Sequence, residues 1–128
     1  MHPNERLIRD YYGAREQGNL GAVRSMMADE IAWHDPYPEP YGGDLMGADA
    51  VLGQVFAAGQ ASGATFTVHD VLASGEHTVA LVEWSATVSG ETLDGREVAV
   101  YHVRNGLITE AWFYPEDPTR YAEFFSRG

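Results

Sequence analysis

The sequence predicts an α+β domain in which helices come first and a sheet follows. Three observations carry that prediction. Apolar residues in the first half recur at steps of three and four, the spacing of a helix with one buried face. The second half changes to alternating runs rich in valine, threonine and aromatic residues, the composition of strands. No composition break or internal repeat divides the 128 residues, and a hydrophobic share of 45% supplies one core.

Each element follows in order. The first helix is expected over 5–18, where Leu7, Ile8, Tyr11, Tyr12 and Arg15 keep helical spacing; Arg15 is favoured on the helix surface, with neutralising an inward acid or terminating the helix as the alternatives. Gly18-Asn19 ends it, and Asn19 is placed to cap a second helix over 20–28, with Leu20, Val23, Met26 and Met27 inward. Residues 31–34 read as a short strand. The passage 35–47 holds three prolines, three glycines and two tyrosines, so it reads as a restricted loop, a rim or a lid. A third helix over 48–60 turns Val51, Leu52, Val55 and Phe56 to the core. Strands are expected over 65–74, 77–88, 96–104 and 107–114, with turn signals at Asp94-Gly95 and Asn105-Gly106. Asp117 is placed to cap a last short helix beginning at Pro118.

The final hairpin admits two registers. A two-residue turn at Asn105-Gly106 sets Arg104 against Leu107 and His102 against Thr109. A loop one residue longer sets His102 against Glu110. The longer loop is preferred. It places Ala99, Tyr101, Ala111 and Phe113 on one face and Val100, His102, Glu110 and Trp112 on the other.

The charge bounds the partners. A formal charge of −11 without a basic stripe opposes binding to nucleic acid or to anionic membranes. A small neutral or aromatic molecule suits it better. The absence of cysteine removes thiolate chemistry and disulfides, and the absence of lysine removes side-chain Schiff bases. There is no secretory signal pattern and no long apolar run, so a cytoplasmic location is expected. His34, Asp35, His69 and Asp70 show no close ligand spacing, and no phosphate or dinucleotide loop occurs, so neither a metal nor another cofactor is expected.

The densest chemistry lies in Trp33-His34-Asp35-Pro36-Tyr37. His34 titrates near neutral pH and suits a general base, with Asp35 beside it. Neighbours on a strand face opposite ways, and Pro36 is expected to bend the passage so that both line one mouth. Anchoring of a loop is the other reading. Tyr12 offers a phenol to a carbonyl or an enolate oxygen, with Tyr11 as its substitute if the helix phase differs, and simple core packing as the alternative. Glu83 lies inside an apolar run; buried in a cavity it would be a tuned acid or base, and on the solvent face only a strand polar group. Tyr101 is expected to share that cavity wall. Asp70, on the face of Val68 and Leu72, is a further candidate cavity acid, with solvent exposure as its alternative reading. Trp33, Tyr37, Phe56 and Phe113 are expected to line the cavity. His102 and Glu110 suit a structural ion pair or a dimer contact, with a His–carboxylate dyad for base chemistry as the less favoured alternative.

Residues 101–117 resemble the closing hairpin of SnoaL-like proteins, through Gly106, Ile108, Glu110 and Trp112. Trp33-His34-Asp35-Pro36 and the passage from Gly43 to Val51 are similar to the same family, as is the order of elements. The resemblance implies a cone-shaped barrel, a strongly curved mixed or antiparallel sheet wrapped around the N-terminal helices. It also implies a pocket and a homodimer formed through the sheet. Relatives include ketosteroid isomerases, polyketide cyclases, dehydratases, epoxide hydrolases and binding domains. The polyketide cyclases carry an acid where this chain has Phe113 and a histidine where it has Ala99, so their mechanism does not transfer. The expected activity is proton transfer of isomerase, cyclase or dehydratase type. A non-catalytic binding protein and a structural or regulatory dimer are the alternatives.

Overall fold

The computed structural model describes residues 1–35 and 43–126. Helix α1 spans Pro3–Glu16, with Pro3 at its first turn, where a missing N–H costs nothing. Gly18 takes a left-handed φ of 71° after it. The Asn19 side chain then accepts a hydrogen bond from the Ala22 N–H, capping α2 (Leu20–Ser25) as expected. Strand β1 (Met27–Asp35) is longer than its apolar run suggested. It pairs with β2 (Gly43–Met46), a short strand inside the passage read as loop. Pro36 and Tyr37 of the expected rim lie outside the described residues.

The expected third helix is one helical run of three pieces. These are α3 (Ala48–Val51), a π-helical turn over Leu52–Phe56, and α4 (Ala57–Ala61). Four long strands follow: β3 (Thr65–Ala73), β4 (His77–Val88), β5 (Glu91–Arg104) and β6 (Leu107–Pro115). Helix α5 (Pro118–Ser126) closes the chain, and Asp117 accepts the Arg120 N–H at 3.1 Å as its cap.

Asp94-Gly95 is not a turn but lies within β5, and the chain reverses at Ser89-Gly90 instead. Gly95 serves close packing. A Cβ there would stand 2.6 Å from the Trp84 indole, which lies across it from β4.

The sheet order is β2-β1-β6-β5-β4-β3, antiparallel except for the parallel pair β1 and β6. The expectation of a strongly curved sheet closed into a cone-shaped barrel is therefore corrected. This mixed sheet is open, with β2 and β3 at its two edges and, among the described residues, no ladder joining them. The helices cover one face. Tyr11 and Tyr12 of α1, Trp33, Val71, Ala80, Tyr101 and Phe113 belong to one buried cluster. A smaller cluster of Trp84, Ala86, Leu93 and Phe124 sits under α5.

Three register irregularities, in the β1–β6, β3–β4 and β5–β6 ladders, decide which side chains face that core. Val68 opposes buried Val82, whereas Asp70 opposes Leu81, so one extra residue between them reverses the alternation in β3. The last hairpin combines both expected registers. Arg104 meets Leu107 across a two-residue turn in which Asn105 (φ 52°) and Gly106 (φ 75°) are both left-handed. A register shift at Thr109 then sets His102 against Glu110.

Candidate functional site

Burial alternates along β5, and Leu93, Glu97, Ala99, Tyr101 and Val103 face the helices. Glu97 is 8% exposed, opposite Val82 on β4 and Pro115 on β6. It lines a narrow cleft of about 150 Å³ between sheet and helices. Asp35 reaches this cleft from the end of β1, Arg15 from the last turn of α1, Gln54 from the π-helical turn, Phe66 from β3 and Tyr121 from α5. A π turn is a frequent feature of functional sites, because it redirects side chains without ending a helix.

The carboxyl of Glu97 makes no hydrogen bond or ion pair among the described residues. Burial pushes it up to about 7; Arg15 pulls the other way and Asp35 adds to the rise. A carboxyl with that value is divided between its acid and base forms near neutral pH.

Arg15 corrects the expectation of a surface residue. Its guanidinium lies 4.7 Å from the Phe56 ring centre and 4.4 Å from that of Phe66. It donates to the Tyr11 hydroxyl at 3.3 Å. Burial disfavours its charge, but Tyr11, Tyr12, Tyr101 and Glu97 outweigh that and raise its pKa above the ordinary value. The same side chain also lines a second cavity of about 360 Å³ beside Gly18 and Gln60.

Tyr12 and Tyr101 sit behind the cleft. Their hydroxyls lie 2.6 Å apart, and burial raises both pKa values well above ordinary, so they are neutral hydroxyls. Trp33, Phe56 and Phe113 are buried in the same aromatic core, with the Trp33 ring 4.6 Å from Phe113 and 5.9 Å from Phe56.

The other expected residues go elsewhere. His34 and Asp35 do not share a mouth, because β1 alternates from Ile31 to Asp35, past an irregularity between Met27 and Ala32, and turns His34 to the outer face. There His34 stacks on Trp112 and bonds Glu110 at 2.7 Å and Asp44 at 2.9 Å. Two carboxylates on two ring nitrogens require two N–H donors, the imidazolium form. Burial opposes that charge, and the hydrogen bonds to Glu110 and Asp44 prevail, raising the pKa. The row continues from Glu110 to His102 at 3.5 Å and from His102 to His77 at 2.8 Å. Among the described residues no three such groups converge as metal ligands.

Glu83 is exposed on the outer face, while Tyr101 pairs with buried Thr78 on the inner one, so the shared wall does not form. Asp70 is likewise exposed, 3.9 Å from Arg9. Tyr37 lies outside the described residues. Glu97 was missed, although the sequence held its signal: it shares strand parity with Ala99 and Tyr101.

Residues 8–111 match the SnoaL-like domain family. The uncharacterized protein Rv0034 of Mycobacterium tuberculosis is 27% identical over 124 residues, 94% of each chain. Bal32a, from a soil-derived mobile gene cassette, superposes with a TM-score of 0.89 at 22% identity over 96% of both chains. TerC, co-crystallized with polyporic acid, gives 0.83 at 18% identity over 98% of this chain and 99% of its own. No helix among the described residues is long and apolar enough to cross a membrane.

Proposed function

The chain belongs to the SnoaL-like domain family, and we propose that within it this protein is a small-molecule enzyme that moves a proton in the cleft beside Glu97. The reaction type is isomerisation, with dehydration or cyclisation as extensions of the same chemistry. Glu97 in its base form removes a proton from carbon next to a carbonyl and returns it as the acid. Arg15 faces the developing enolate oxygen, and Asp35 acts at the same mouth. Tyr12 and Tyr101 hold the wall behind. His34 and Glu83 take no part, since they belong to the outer face of the sheet.

The observation that carries this reading is Glu97 itself. A carboxyl 8% exposed, without a hydrogen bond among the described residues and pushed up to about 7, destabilises the fold at neutral pH. Acid–base work is the use that such tuning serves. A cleft of about 150 Å³ suits a compact substrate, since a cavity of about that volume holds benzene. Polycyclic ligands are too large for it. The TerC structure with polyporic acid supports a reading in which this fold holds small organic molecules.

The test is proton exchange. Small carbonyl compounds incubated in deuterated water with the protein are followed by NMR. Exchange next to the carbonyl is expected with the wild type, retained in His34→Gln and lost in Glu97→Gln. Equal exchange in Glu97→Gln removes the proposal. Binding without exchange moves the protein to the non-catalytic reading. A homodimer belongs to the same proposal, because Leu72 (56% exposed), Val98 (38%) and Tyr114 (59%) leave apolar surface on the uncovered sheet face. Light scattering checks it.

A further inference from the structure

The overall charge of −11 argues for a neutral ligand, but the cleft is not a sample of the whole surface. Arg9 pairs with Glu5, Arg24 with Asp29 and Arg96 with Glu116. Arg15 forms no ion pair among the described residues, and it is the arginine set into the interior. Two phenyl rings hold its guanidinium, and the Tyr11 hydroxyl accepts from Nη1. Ring contacts attract the cation through its face and leave N–H groups on its edge for an oxygen acceptor. A guanidinium fork matches a carboxylate in two parallel hydrogen bonds.

We propose that the substrate of this cleft is a compact carboxylate, its anionic oxygens on Arg15 and its reacting carbon toward Glu97. The proposal rests on the acid–base reading above and gives that reaction its substrate class. An oxo acid of pyruvate to α-ketobutyrate size matches the volume of about 150 Å³. A proton removed by Glu97 leaves an enolate whose oxygen stays near the same guanidinium. The proton returns from Glu97, so no other reactant is consumed.

The site then couples binding to a proton. Arg15, Tyr11 and Tyr12 act on the Glu97 region from α1, Asp35 from β1, Tyr101 from its own strand, and Tyr121 lines it from α5. Of these only Arg15 is cationic. A third negative charge beside Glu97 and Asp35 is tolerated when Glu97 carries its proton. Anion binding therefore takes up a proton, and affinity falls by up to about tenfold for each pH unit above the Glu97 titration; exchange runs through the minor fraction of the complex in which Glu97 is ionised, so the rate per bound ligand rises with pH.

The test compares butyrate with butanone by calorimetry and ligand-observed NMR between pH 5 and pH 9. Butyrate is expected to bind more tightly than butanone, and to weaken above pH 7. In Glu97→Gln it should bind with no such slope. In Arg15→Met the preference for butyrate should vanish. If Arg15→Met does not fold, Arg15→Lys serves, since it keeps the charge and loses the fork; butyrate affinity should drop without loss of the slope. Equal affinity for butyrate and butanone in the wild type, or butyrate binding unchanged by loss of the Arg15 fork, overturns the proposal. Exchange on α-ketobutyrate separates it from the acid–base reading. Arg15-dependent butyrate binding without exchange keeps the anion site and removes the reaction. Exchange on butanone without butyrate binding does the reverse.

Discussion

The hydroxyl oxygens of Tyr12 on α1 and Tyr101 on β5 lie 2.6 Å apart in the core, each the partner of the other. This bond fastens the first helix to a central strand immediately behind the cleft. Removing the Tyr101 hydroxyl strands that of Tyr12 in an apolar site, whereas Tyr101 keeps the Tyr11 hydroxyl beside it when that of Tyr12 is removed. Tyr12→Phe and Tyr101→Phe should each cost about 1–2 kcal/mol. The double variant should cost clearly less than the sum, because no unpaired hydroxyl remains. Urea unfolding of the four proteins measures the coupling; strict additivity would contradict the bond.

Glu97 predicts a pH dependence of stability. Its folded pKa is raised from 4.5 to about 7, so its stabilising contribution is full below 4.5 and is lost as pH rises through about 7. The span is about 3 kcal/mol. Glu97→Gln carries no titrating group there. It should be more stable than the wild type above pH 7, with the advantage shrinking between pH 7 and pH 4.5. Denaturation midpoints across that window check the sign.

His34 predicts stabilisation that also fades with rising pH, from the other side of the sheet. Its pKa is raised above 6.5, so its pairing with Glu110 and Asp44 contributes fully below that value and is lost as pH passes the higher one. His34→Gln should lose more stability at pH 6 than at pH 9. Proton exchange in the cleft should not change. A large activity loss in a folded His34→Gln would return His34 to the mechanism.

Gly95 predicts a packing defect. A methyl group there meets the Trp84 ring at 2.6 Å, so Gly95→Ala must displace the indole or the strand. A loss of about 1–3 kcal/mol is expected, with a change in tryptophan emission. An unchanged melting temperature would show that the ring has room to move.

The sequence carried more of the fold than of the site. Helix caps at Asn19 and Asp117 and the pairing of His102 with Glu110 were readable because caps, turns and alternation are local. Strand β2 was hidden because its four residues follow a run of proline and glycine. The Asp94-Gly95 signal misled because a glycine that admits an indole reads the same as a glycine that makes a turn.

By itself the sequence determined the order of the long helices and strands and the alternation within each regular stretch of strand. These depend on spacing along the chain, and spacing is written in the residues. The tertiary structure alone decided that the sheet stays open, that His34 faces outward while Asp35 faces the cleft, and that Glu97 stands with Arg15 and Asp35. A register shift or the choice of covered face reverses which side chains are inward without changing the pattern. That choice follows from which face the helices bury, a balance of packing summed over the whole core.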